Sequence, residues 1–110
     1  MSILKTWLKL LESGKYKICQ QGVHRSGDTY SPNGVLCKYW NMKFVNEYVE
    51  EDDGSVWAYM IPDYKRHLFN IANKITFKGK TYDNLHAIGN GIYSVDEIKE
   101  ILKEAIKCNP

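Results

Sequence analysis

The residue pattern of this chain predicts an α+β fold: a single small domain over residues 1–110, mostly helical, with four to five helices and one or two antiparallel β-hairpins. Three observations predict it. Apolar residues recur at i, i+3, i+4 and i+7 near both ends of the chain, the spacing of a helix with one buried face. Capping residues stand where those helices would begin and end. Between them, aromatic and β-branched runs flank Asp53-Gly54 and Gly79, as the strands of hairpins do.

Taken in order, Ile3, Leu4, Trp7, Leu8, Leu10 and Leu11 put an apolar stripe on a helix over 3–13, and Gly14 suits the left-handed stop after it. Residues 15–30 read as irregular and polar, with His24-Arg25-Ser26-Gly27-Asp28 as a tight exposed turn. Ser31-Pro32 opens a second helix, a hydroxyl at the N-cap and proline where no amide hydrogen is needed. It is expected to run to about Trp40 and to bury Val35, Leu36, Tyr39 and Trp40. Residues 43–49 and 55–61 are expected to pair as a hairpin turning at Asp52–Gly54. Pro62 ends that hairpin, and Asp63 caps a helix from Tyr64 to about Ala72 with Leu68, Phe69 and Ala72 inward. A second hairpin takes Lys74–Lys78 and Lys80–Tyr82 around Gly79, followed by a short helix over 83–89 that buries Leu85 and Ile88. Ser94-Val95-Asp96-Glu97 is a capping box, and its helix continues through Ile98, Ile101, Leu102, Ala105 and Ile106 to about Lys107.

Composition bounds the function. Apolar residues make up 44% and charged residues 25%, which is globular composition. No run reaches the roughly 18–20 apolar residues of a membrane span. Met1-Ser2-Ile3-Leu4-Lys5 lacks the features of a secretory signal, so a cytoplasmic protein with no membrane partner is expected. The net charge of +2 conceals segregation: residues 1–40 carry +4, 41–63 carry −5, 64–93 carry +4 and 94–110 carry −1. The acidic block opposes a nucleic-acid track, which needs continuous phosphate-neutralising charge. Nucleic acid is therefore not the expected ligand.

Cys19, Cys37 and Cys108 are an odd set with no CxxC, which favours reduced thiols. Cys37, in Val35-Leu36-Cys37, reads as a small core hydrophobe whose apolar neighbours raise its thiol pKa. A metal set of Cys19, His24, Asp28 and Cys37 has irregular spacing and mixed ligand hardness, so neither metal nor cofactor is expected. Gly89-Asn90-Gly91 lacks the strand before it and the Lys-Ser/Thr after it that a phosphate loop requires. Ser94 is explained by its cap, and no nucleophile elbow surrounds it. No catalytic motif emerges.

Two constellations stand out. Tyr48, Trp57 and Tyr59 lie on the 43–61 hairpin, whose tip is Glu50-Glu51-Asp52-Asp53. Tyrosine and tryptophan supply interface area with a polar handle, and an acidic tip attracts a basic surface. This is the candidate partner-binding face. The second set, His24, Arg25, Asp28 and Tyr30 beside Gln20 and Gln21, could cup an anion such as a nucleotide or act on one. Its plainer role is a hydrogen-bonded loop between two helices. His67, beside Lys65 and Arg66, and His86, near Asp83, read as surface imidazoles.

Trp7-Leu8, Leu11-Glu12-Ser13-Gly14-Lys15-Tyr16, Gly27-Asp28-Thr29-Tyr30 and Gly34-Val35-Leu36-Cys37 together resemble a family of small uncharacterised phage and prophage proteins. There a helix ending in Ser-Gly-x-Tyr precedes a Gly-Asp-x-Tyr turn and a Cys-Cys-x-Gly-Val-Leu-Cys segment. Leu85, Ser94, Glu97 and Ile98 are similar to that family's later helix entry, with Asn90 one position late. Ser31-Pro32 replaces the paired cysteines, so a thiol or metal role does not carry over. The resemblance implies a small cytoplasmic phage-type protein in a bacterial host. With the surplus of aromatics, it leads to the expectation of a non-enzymatic accessory factor that binds and modulates a host protein, such as an anti-CRISPR-like inhibitor. The alternative is a protein that sequesters a nucleotide signal or acts weakly on one. A free hairpin edge would equally suit a homodimer.

Overall fold

The computed structural model describes residues 2–19, 25–58, 60–89 and 92–110. Helix α1 spans Ile3–Glu12, started by the Ser2 hydroxyl accepting the Lys5 amide at 3.3 Å and followed by Gly14 in the left-handed region at φ +72°. A two-residue hairpin, β1 (Arg25–Ser26) and β2 (Thr29–Tyr30), turns through Gly27 at φ +61°. Helix α2 covers Pro32–Tyr39, its first turn capped by the Ser31 hydroxyl on the Gly34 amide at 3.0 Å. Strands β3 (Lys43–Val45), β4 (Tyr48–Glu50) and β5 (Val56–Trp57) form an antiparallel sheet in that order. One turn of helix, α3 (Asp63–Arg66), runs into a 3₁₀ turn at His67–Phe69. Strands β6 (Asn70–Phe77) and β7 (Lys80–Asn84) make the long hairpin, and α4 (Val95–Cys108) closes the chain.

The core is one cluster to which most elements contribute. Trp7 and Leu11 of α1 meet Leu36 of α2, Ile61, Phe69, Ile75 and Tyr82 of the long hairpin, Leu85 and Ile88, and Ile98, Ile101, Leu102 and Ala105 of α4. Helix α1 packs on α4, and α4 covers β6. Trp7 is the pivot: it is fully buried, meets Phe69 edge-on at 5.5 Å, and donates its indole N–H to the Pro32 carbonyl at 2.9 Å. That bond fixes the start of α2 against α1, and burial makes it costly to leave unmade.

The expected class needs correction. The protein is α+β, but among the described residues it is 39% helical rather than mostly helical, with seven strands in three small antiparallel sheets. Local differences account for this, among them the strand expected over 55–61, which among the described residues forms only at Val56–Trp57. The helix expected over 64–72 stops after Phe69, where Asn70 turns extended and starts β6, paired to Asn84. Leu68 and Ala72 are consequently exposed, and only Phe69 of the expected inward set is buried. The helix expected over 83–89 is the end of β7 and a run of turns; Leu85 and Ile88 are buried as expected, without a helix. The strand expected over 43–49 breaks into β3 and β4 because Asn46 takes φ +55°, a conformation asparagine tolerates. Within 15–30, segment 17–19 is not wholly irregular: Cys19 and Tyr30 amides donate to the Tyr30 and Lys17 carbonyls, each at 2.9 Å. Tyr39, expected inside, is 48% exposed because α2 emerges from the core at its last turn.

The turn at Asp52–Gly54 stands as expected, with Gly54 at φ +87°, and so does the long hairpin turn, with Lys78 and Gly79 both at positive φ. The capping box of α4 is complete in both directions.

Candidate functional site

The β4–β5 turn concentrates charge by tight backbone bonding. The Glu51 amide donates to the Ser55 carbonyl at 2.8 Å, and the Gly54 amide donates to the Glu51 carbonyl at 2.9 Å. The Asp53 carboxylate accepts the Ser55 amide at 2.9 Å, and Ser55 holds that carboxyl below the usual range. Four carboxylates, Glu50 to Asp53, are thereby packed at one end of the sheet. Lys43 approaches Glu50 at 4.0 Å. Glu51 is oriented from behind, for the Trp57 indole N–H donates to its carboxylate at 2.7 Å. The Arg66 guanidinium lies 5.5 Å over the Trp57 ring and is itself held by Asp63 at 3.0 Å and the Ile61 carbonyl at 2.9 Å.

These carboxylates line an open groove of about 460 Å³. Trp40, Asn41, Met42 and Lys43, just past the end of α2, and Tyr64 of α3 complete its lining. Asn41 takes φ +57°, which turns the chain sharply out of α2 toward β3. Tyr64 is 52% exposed, and its phenol is pushed up by burial first and then by the Glu51 carboxylate. The Lys65 ammonium sits 5.0 Å over the Trp40 ring and 5.4 Å over the Tyr64 ring. The four carboxylates outweigh Lys43, and with the cation-holding rings they give the groove a preference for cations.

Of the expected partner-binding residues, Glu50, Glu51, Asp52 and Asp53 line the groove, and Tyr48 is exposed at 43% on β4. Trp57 is half-buried, its N–H and ring face engaged by Glu51 and Arg66, so it supports the site rather than presenting itself. Tyr59 lies outside the described residues, as does His24. The other members of the alternative ligand set stay together on the β1–β2 hairpin, where Arg25 pairs with Tyr30, but each is engaged locally. Arg25 donates to the Asn46 carbonyl at 2.9 Å and lies over the Phe44 ring. Asp28 pairs with Lys17 at 3.0 Å on the surface, which holds its carboxyl low. Tyr30 packs edge-on to Tyr16 and Phe44. None of these lines the groove or either of two smaller concavities, one beside β7 and one between the chain ends.

Trp40 and Tyr64 are the site residues that local sequence reading missed. Each sits in a segment read as helix, and nothing local links either to the acidic tip. His86 also differs from expectation: burial and then the Arg66 charge depress its pKa. Cys37 is fully buried, and burial pushes its thiol up to about 12. Among the described residues no group of three or more His, Cys, Asp and Glu side chains is placed to hold a metal ion, and no helix is long and apolar enough to cross a membrane. Comparison with family models, curated proteins and solved structures finds no match to this chain.

Proposed function

We propose that this chain is a non-catalytic binding protein, a phage-type accessory factor that docks on a basic surface of a host protein and modulates it, in the manner of an anti-CRISPR inhibitor. The observation that carries the reading is the groove that joins the Glu50–Asp53 carboxylates to the Trp40 and Tyr64 rings. Charge of one sign at a projecting turn steers encounter with an oppositely charged partner, and exposed aromatics supply the contact area that sustains it. Tyr39, Tyr48 and Tyr64 are exposed, and such side chains cost little rotamer entropy to immobilise. The sequence resemblance to phage proteins supplies the context, a partner in a bacterial cell.

Photo-crosslinking inside bacteria tests the proposal. A benzoylphenylalanine placed at position 52 or 64 is expected to trap the same discrete protein, with a basic contact surface, whereas position 9 or 107, on exposed faces of α1 and α4, traps none. Equal trapping from all four positions, or none from 52 and 64, overturns it.

A further inference from the structure

We infer that the groove receives an arginine side chain of the partner protein, its guanidinium held between the Trp40 and Tyr64 rings and the Glu51 and Asp52 carboxylates; this rests on the docking reading above and names the side chain that docks. Two observations converge on it. First, the groove's lining is net negative, four carboxylates against the single ammonium of Lys43. Of its four carboxylates only Glu50 takes part in a salt bridge among the described residues, at 4.0 Å from Lys43. Second, the rings already serve as a cation surface. Lys65 makes none of the salt bridges among the described residues and instead places its ammonium over both Trp40 and Tyr64.

The chemistry selects arginine over lysine. A planar guanidinium stacks on a ring with its face while its edge forks to carboxylates, and it sheds water more readily than an ammonium. The groove's lining offers both kinds of partner. An ammonium can use either but gains no bidentate geometry. Lys65 then acts as a resident competitor for the rings.

Calorimetric titration of the full chain with capped hexaarginine, hexalysine and hexacitrulline tests this at low salt. Hexaarginine is expected to bind saturably, hexalysine more weakly by about fivefold, and hexacitrulline, equal in shape but uncharged, not at all. Glu51→Gln with Asp52→Asn removes charge while leaving an oxygen for the Trp57 N–H, and should weaken hexaarginine about tenfold. Tyr64→Leu should weaken it about threefold, and Lys65→Met should strengthen it by a similar factor, the size of one exposed cation–π contact. Thermal melts establish that each variant is folded. Equal arginine and lysine affinities, or wild-type affinity in the doubly neutralised variant, overturn the inference. If that happens while crosslinking from positions 52 and 64 persists, the arginine assignment alone falls; loss of the crosslinks removes the docking reading too.

Discussion

The Cys37 thiol of α2 is fully buried, and that burial disfavours its ionised form more than the backbone hydrogen bond beside it favours that form. Burial raises the folded-state pKa, so the neutral thiol is the form that folding favours. Its contribution is whole below pH 9 and is lost as pH rises from there toward about 12. Denaturant melts between pH 8 and 11 should therefore show wild-type stability falling more steeply than that of Cys37→Ala, which starts lower by about 1 kcal/mol through lost apolar burial. Parallel slopes would refute the assignment. Gly89 is set by space rather than by φ. A Cβ there would fall on the Asn33 amide and 2.8 Å from the Trp7 ring, both buried. Gly89→Ala is expected to cost about 1–3 kcal/mol by overpacking, measured as a drop in Tm.

The elements differ in how much of their stability is local. Helix α4 carries its own start signal, with the Ser94 hydroxyl accepting the Glu97 amide at 3.1 Å and the Glu97 carboxylate reaching back. Ser94→Ala should cost about 1 kcal/mol in chemical denaturation, and an unchanged midpoint would contradict the cap. Strand β6 depends on a distant residue instead. The Asn109 side-chain amide accepts the Asn73 amide at 2.7 Å and donates to the Asn73 carbonyl at 3.0 Å, pairing with the backbone as a neighbouring strand would. Asn109→Ala should remove that pairing and speed amide exchange at Asn73, leaving the paired residues 75–77 protected. Exchange at Asn73 as slow as in wild type would count against it.

Over the whole molecule, one tryptophan joins what the chain order separates. Trp7 links α1 to α2 through the Pro32 carbonyl and to the 3₁₀ turn through Phe69. Trp7→Ala should cost about 3–5 kcal/mol. That is a large share of the roughly 5–15 kcal/mol that holds a domain together, so near-native Tm would disprove the pivotal role.

Local chemistry determined the features whose causes lie within a few residues: α1 and α4 from apolar spacing and caps, the start of α2 from Ser31-Pro32, and both glycine turns. It also singled out Glu50-Glu51-Asp52-Asp53, because charge density is visible without a fold. Tertiary structure decided the rest. Residues 70–72 and 83–84 became strand because Asn70 pairs with Asn84 and α4 covers β6, gains no local propensity records. Trp57 turned inward because Glu51 and Arg66, 6 residues before it and 9 after it, use its N–H and its face. The groove itself arises only when residues 40–42 and 64 are brought to the acidic turn. Its lining comes from three stretches of chain, and the Lys65 ammonium over the Trp40 ring joins two of them across 25 residues, which is why no window of sequence contains it.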